Sequence, residues 1–292
     1  PGVHGESIVM RLLPKNREEV HLENLGLEPD HLELLEKSIQ ESSGIILVTG
    51  PTGSGKSTTL SGALSESNDG RKKMLTVEDP VEFVIPGITQ IQAHAEIGYT
   101  FAKALRAILR QDPDVIMIGE IRDQETAEIA IQSALTGHLV LSTVHTNDAL
   151  SVFTRLINMG IEPFMVSAPM KLVQAQRLVR RLCPSCAEPV EVQGDIASEY
   201  ESLGLNIEPK WMRAVGCERC LDVGYRGRTG IYELIPVSAE MRGLVASGAD
   251  IAAFRKLALE EGHRTIYQDG LIKAARGLTT VEEVMRVSSG IE

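Results

Sequence analysis

The octet Gly50-Pro51-Thr52-Gly53-Ser54-Gly55-Lys56-Ser57 limits what this chain can fold into more than any other stretch. Its glycines let backbone N–H groups turn inward onto anionic oxygens without side-chain clash. Lys56 adds a compact positive charge for β- and γ-phosphates, and Ser57 a hydroxyl for Mg²⁺. Such a loop sits between a strand and a helix, whose N-terminal dipole adds to the attraction. Both flanks are present: residues 45–49 are apolar and β-branched, and residues 58–64 favour a helix. A chance glycine-rich turn would lack that setting. The expectation is a nucleoside triphosphate with Mg²⁺, held by residues 50–57 together with Thr58.

The same alternation continues along the chain. Residues 74–77, 115–118 and 139–144 are short apolar runs rich in β-branched residues, as buried parallel strands require. Between them, Phe101, Leu105, Ile108 and Leu109 share one helical face, and Asp123 can cap a helix ending at Gly137. Strands alternating with helices predict an α/β fold with a mostly parallel sheet and right-handed crossovers. Residues 30–42 fit an amphipathic helix capped by Asp30, and residues 1–14 read as the last strand of a truncated preceding domain. Residues 238–292 read as helices, with a capping box at Thr279-Thr280-Val281-Glu282-Glu283. These shifts divide the chain into 1–36 (end of a truncated domain plus linker), 37–182 (phosphate-loop core), 183–230 (cysteine module) and 231–292 (helical region). No apolar run reaches the length of a membrane span, and no signal peptide is present.

Hydrolysis needs a group to orient or deprotonate water and a carboxylate near Mg²⁺. Two acidic clusters fall at the ends of predicted strands, where ligands of such sheets bind. One is Thr76-Val77-Glu78-Asp79-Pro80-Val81-Glu82; the other is Gly119-Glu120-Ile121-Arg122-Asp123 after the apolar run at 115–118. The second has the form of a Walker B strand with Gly119 in place of the first acid, which leaves Glu120 to act alone. Glu78 and Glu120 are the catalytic candidates; Asp123, with Asp112 or Asp114, reads as a helix cap or solvated turn residue. His138 and His145 bracket the run at 139–144. A histidine beside a strand can simply be packed or hydrogen-bonded. His145, beyond a strand end, could reach a γ-phosphate, and His138 is a candidate nucleotide contact.

Four cysteines form two pairs, Cys183/Cys186 and Cys217/Cys220. Each pair places two thiolates on one tight turn, and two such turns can make a closed tetrahedral zinc site of a structural kind. Two unrelated reduced pairs, or a redox pair, are the other readings.

Together these segments resemble the secretion and pilus-assembly ATPases, in particular the type II secretion (general secretory pathway E) branch. The resemblance rests on residues 50–57, on 76–82 as the Asp box, on 105–114 running into 119–123, on 136–145 as the His box, and on 217–234. It implies a RecA-like, ATP-hydrolysing homo-hexamer on the cytoplasmic face of the bacterial inner membrane. Its cycle would drive pseudopilus assembly through the platform and docking proteins of the secretion system. Glu78 would be the general base, Glu120 would help hold Mg²⁺, and Arg11 would reach the nucleotide across the ring. Retraction ATPases of pili lack the four cysteines, whereas type IV pilus assembly ATPases share them; the tail at 269–271 and 282–287 looks more like the secretion branch. A net charge of −11 and 4% aromatic content speak against a nucleic-acid motor, which needs a basic, stacking channel. Lys56, Ser57, Glu78 and Glu120 together speak against a scaffold with a degenerate site.

Overall fold

A computed structural model describes residues 3, 5, 6, 8, 20–205, 208–248 and 250–289. Most of the stretch 1–14, with the expected strand and Arg11, therefore lies outside the described residues. The strands are β1 (Gly44–Thr49), β2 (Met74–Glu78), β3 (Thr89–Gln92), β4 (Val115–Ile118), β5 (Leu139–Val144), β6 (Met170–Leu182), β7 (Glu188–Pro189), β8 (Met212–Arg213) and β9 (Tyr225–Pro236). The helices are α1 (Pro29–Ser38), α2 (Lys56–Ser67), α3 (Phe101–Ile108), α4 (Gln124–Leu135), α5 (Ser151–Asn158), α6 (Pro163–Ser167), α7 (Asp195–Ser202), α8 (Ala239–Ala246), α9 (Ile251–Glu260), α10 (Ile266–Ala275) and α11 (Val281–Ser288).

A seven-stranded sheet runs in the order β3-β2-β4-β5-β1-β6-β9. All neighbours are parallel except β9, which returns antiparallel along β6. The central strands are buried on both faces because their residues alternate between two cores. Ile45, Leu47, Ile116, Ile118 and Val140 face one core, with side chains of α3–α6, α8 and α9. Ile46, Val48, Val115, Met117, Leu139 and Leu141 face the other, with α1 and α2. Continuous apolar runs are what a doubly covered parallel strand requires. Parallel register also carries the ends of β1, β2, β4 and β5 to one edge of the sheet, which is where the site forms.

Local signals explain the helix ends. Thr100 and Asp123 accept from Lys103 N–H and Thr126 N–H, as N-caps should. The cap expected at Asp30 is instead Glu28, because Pro29 occupies the first helical position with its φ already set. Asp30 pairs with Arg264 at 2.7 Å. Thr280 caps α11 through Glu283 N–H, but the expected capping box is only half made. The Glu283 carboxylate accepts from Arg180 and Arg286 instead of folding back.

Strands β3, β6 and β9 escape the sequence pattern, since polar residues interrupt them. The boundary expected between 230 and 231 falls inside β9, whose pairing with β6 runs without a break from Thr229 to Pro236. Gly230 suits that strand because a Cβ there would lie 2.1 Å from the Tyr232 hydroxyl. The C-terminal helices are likewise no separate unit: Met241, Val245, Phe254 and Ala258 belong to the main core. No helix of the described residues is long and apolar enough to cross a membrane.

One buried ion pair joins this C-terminal region to the sheet. Asp269, fully buried, accepts from Lys273 Nζ at 2.5 Å and from Tyr232 N–H of β9 at 2.8 Å. Lys273 is 1% exposed, so its ammonium has no recourse to water. Asp269→Ala should therefore lower the unfolding free energy by about 3–5 kcal/mol in urea titrations, the cost of a stranded buried charge. Asp269→Asn, which keeps an acceptor for Tyr232, should cost less.

Candidate active site and metal centre

The phosphate loop leaves the end of β1 and enters α2 at Lys56. Gly50, Gly53 and Gly55 all adopt positive φ, at 144°, 80° and 93°. At Gly50 the need is also steric, because a Cβ would lie 2.5 Å from the Gln176 carbonyl oxygen. The Lys56 ammonium curls over the loop and donates to Gly50 O at 2.8 Å and Pro51 O at 3.0 Å. Burial pushes its pKa down; attraction to Glu120 opposes this, and repulsion from Arg177 adds to it. Behind the loop lies a polar ladder that the sequence did not reveal. Gln176 of β6 donates through Nε2 to Ser54 O at 2.8 Å. Its Oε1 accepts from the Thr59 hydroxyl and from Gln174 Nε2, both at 2.9 Å. Polar residues alternating within the apolar run at 172–179 were the available signal.

Beside the loop opens a cavity of about 480 Å³, within the usual range for small-molecule sites. Thr52, Gly53, Gly55, Lys56, Ser57 and Thr58 line it, as do Glu78, Glu120 and His145. Gly50 and Pro51 reach it only through their carbonyls on Lys56, and Ser54 stands behind it. Glu78, at the end of β2, is buried and accepts at Oε1 from the Thr76 hydroxyl at 2.6 Å and Gln90 Nε2 at 2.9 Å. Glu120 accepts from Arg122 Nη2 at 2.5 Å and lies 3.5 Å from His145 Nε2. That hydrogen bond to Glu120 raises the Arg122 pKa above its ordinary value.

The glycine in place of the first Walker B acid sits where a side chain would be tightly packed. A Cβ at Gly119 would lie 3.3 Å from Val77 O and 3.4 Å from Glu78 Cα, because β4 ends tight against β2. The structure does not bring His138 to the site. It sits before β5, at the opposite edge of the sheet from His145, with Nδ1 2.8 Å from Ser133 O. A six-residue strand separates the two histidines, about 20 Å of extended chain. Arg122 and Arg228 also line the cavity. The chain near Arg228 reaches it only through the antiparallel return of β9, which the sequence pattern did not disclose.

The four cysteines converge although 30 residues separate the pairs. Their sulfurs all lie within 4.8 Å of one another. Cys183–Cys217, Cys186–Cys220 and Cys217–Cys220 stand at 4.0, 3.8 and 3.7 Å. A tetrahedron with Zn–S bonds of about 2.3 Å has edges of about 3.8 Å, so the donor set fits zinc without rearrangement. Backbone N–H groups of Cys217 and Gly224 each approach Cys220 Sγ at 3.2 Å. Burial works against the Cys220 thiolate, yet these donors outweigh it and bring the pKa down to about 7.

A mostly parallel sheet covered on both faces, with a phosphate loop and two carboxylates at its C-terminal edge, defines a P-loop nucleotide-binding class. The chain belongs to the family described as Type II/IV secretion system protein, which matches residues 1–286. It is 50% identical over 292 residues to the type II secretion system protein E of Pseudomonas aeruginosa, covering 99% of this chain and 57% of that protein. It is 48% identical over 291 residues to the type IV pilus assembly ATPase PilB of Myxococcus xanthus, covering 98% and 51%. Among solved structures, the pilus retraction motor PilT with bound ADP aligns at TM-score 0.69 and 29% identity, over 96% of this chain and 69% of that one. The chain thus spans little more than half the length of the curated relatives it matches.

Two outcomes follow from the geometry. Elemental analysis of the purified protein should find about one zinc per chain, and Cys217→Ser or chelation should remove it and lower thermal stability. The second concerns Glu233 of β9, whose carboxylate accepts from Ala149 N–H at 3.0 Å. Burial pushes its pKa from 4.5 up to about 7, against the pull of that N–H, so the fold favours the protonated form. Its contribution to stability is present below pH 4.5 and is lost as pH rises toward 7. Glu233→Gln should thus gain roughly 1–3 kcal/mol over the parent at pH 8 and little at pH 4, read from urea midpoints.

Proposed function

We propose that this chain hydrolyses ATP as one subunit of a ring-shaped motor that powers type II protein secretion. The observation that carries the reading is the meeting of Glu78 and Glu120 on the cavity that Lys56, Ser57 and Thr58 line. Loop N–H groups and the Lys56 ammonium would hold the β- and γ-phosphates, and the Ser57 hydroxyl would be a ligand for Mg²⁺. Mg²⁺, when bound, neutralises charge on the phosphate oxygens. Glu78 is the base: it takes a proton from a water whose oxygen bonds the γ-phosphorus as the bond to the β–γ bridging oxygen breaks. Glu120, paired with Arg122 and lying 3.5 Å from His145, would help hold the metal, and His145 would meet the γ-phosphate.

The larger assembly is part of the same proposal. Homo-hexamers would bring Arg11 of one subunit toward the nucleotide of the next. The cysteine module, bounded by the ends of β6 and the start of β9, would hold one zinc as a structural clamp. Six relatives named for type II secretion, at 48–52% identity, support a place in that system, where the chain would work on the cytoplasmic face of the inner membrane with platform and docking proteins. Pilus assembly is the second reading, favoured by the 48% identity to PilB. Deletion of the gene separates them: loss of secreted proteins from the medium supports the first, loss of surface pili the second. Nucleic acid is not an expected partner, and added DNA should leave hydrolysis unchanged.

At the site itself, Glu78→Gln should lower kcat by about 10²–10⁴-fold while nucleotide affinity is kept. Lys56→Ala should weaken nucleotide binding as well, and Glu120→Ala should lower kcat. Unchanged phosphate release in both Lys56→Ala and Glu120→Ala would refute the assignment.

A further inference from the structure

Glu78 does not stand alone at the end of β2. Strand β3 pairs parallel with β2 in the register Thr76↔Gln90 and Glu78↔Gln92. Side chains two apart along a strand share a face, so Thr76, Glu78 and Gln90 are neighbours on one surface. The Thr76 hydroxyl donates to Glu78 Oε1 at 2.6 Å, and Gln90 Nε2 donates to the same oxygen at 2.9 Å.

The orientation of the Gln90 amide is over-determined. Its Oε1 accepts from Ile85 N–H at 2.7 Å, and its Nε2 also donates to Phe83 O at 2.8 Å. A flipped amide would set an oxygen against both Phe83 O and the Glu78 carboxylate while leaving Ile85 N–H facing an NH₂. Only one amide orientation satisfies all these partners. The loop at 83–85 therefore aims Gln90, and Gln90 with Thr76 aims Glu78.

Both donors converge on Oε1, and among the described residues no side chain or backbone N–H donates to Oε2. Glu78 lines the cavity beside the phosphate loop. The lone pairs left for a water there are those of Oε2. We infer that Thr76 and Gln90 are positioning residues of the hydrolytic reaction: they fix the plane of the Glu78 carboxylate and reserve Oε2 as the atom that accepts the proton of the attacking water. The inference rests on Glu78 acting as the base and adds how that base is held. Neither residue lines the cavity beside the phosphate loop; each works through Glu78. Gln90 belongs to an edge strand whose residues are exposed or half-buried, whereas Thr76 is fully buried on β2, so the carboxylate is held from the rim of the sheet on one side and from its interior on the other.

The test is steady-state hydrolysis by the full chain beside binding of a fluorescent ADP analogue and thermal melting. Thr76→Val keeps shape and removes one donor; Gln90→Glu keeps an acceptor for Ile85 N–H and removes the other donor. Each should lower kcat by about 10–100-fold, the scale of a misaligned reacting group, with ADP affinity within about twofold of the parent. Thr76→Ser, which retains the hydroxyl, should recover most of that loss. Parental kcat in Thr76→Val and Gln90→Glu, beside an inactive Glu78→Gln, would overturn the positioning role and leave the base standing. Full activity in Glu78→Gln would remove the base reading, and with it this inference. If kcat, affinity and melting temperature all fall together and Thr76→Ser recovers nothing, the pair only supports the loop and the inference also fails.

Discussion

Burial of β1 on both faces is the constraint on which the rest of the molecule hangs. Every residue of this strand is inside, with Ile45 and Leu47 in one core and Ile46 and Val48 in the other. Its backbone groups pair with β5 on one side and β6 on the other. A strand so enclosed has one register that satisfies both its hydrogen bonds and its side chains. The phosphate loop inherits that rigidity at Thr49, whose Oγ1 accepts from Thr146 N–H at 2.8 Å and so fastens the start of the loop to the turn after β5. A preorganised anion cradle needs such a fixed root, since reorganisation during reaction would forfeit part of its electrostatic effect.

Polar residues inside the core serve the same end. Gln174 and Gln176 are essentially inaccessible, and an amide so placed is costly unless its groups are paired. Here Gln176 is paired on both ends, with Thr59 of α2 and the carbonyl of Ser54. Arg177 continues the line, donating to Asn147 O at 2.5 Å from beneath the loop. Strand β6 thus works as a template against which the loop and the turn after β5 are both set. The two carboxylates are held differently: Glu120 lies between the Arg122 guanidinium and the His145 imidazole, whereas Glu78 is held by neutral donors. Neutral donors orient a carboxylate without supplying a formal charge that competes for its proton, which suits a base.

Much of this was legible before any coordinates. Runs at 45–49, 74–77, 115–118 and 139–144 became β1, β2, β4 and β5 within a residue or so, because a doubly buried strand is apolar throughout and bounded by turn residues. Asp123 was readable as a cap, since a side-chain oxygen before a helix has a local role. Strands β6 and β9 were not, because their pairing joins residues up to 64 apart (Leu172↔Pro236) and their buried polar residues break the pattern. His138 is close in sequence to His145 yet far from the site, because a strand separates its two ends by its whole length.

By itself, the sequence determined the chemistry of the parts: a phosphate loop, since only glycine tolerates its turns; two acids beyond strand ends; and two thiolate pairs on tight turns. These depend on a few consecutive residues, so they can be read locally. Tertiary structure decided which parts meet. Parallel register set Glu78 and Glu120 on one edge, the antiparallel return of β9 carried Arg228 to the cavity and helped close the cysteine cluster, and the β2–β3 pairing put Gln90 on Glu78. Those meetings join residues distant along the chain, and their geometry follows from sheet register and burial, which no short stretch of sequence contains.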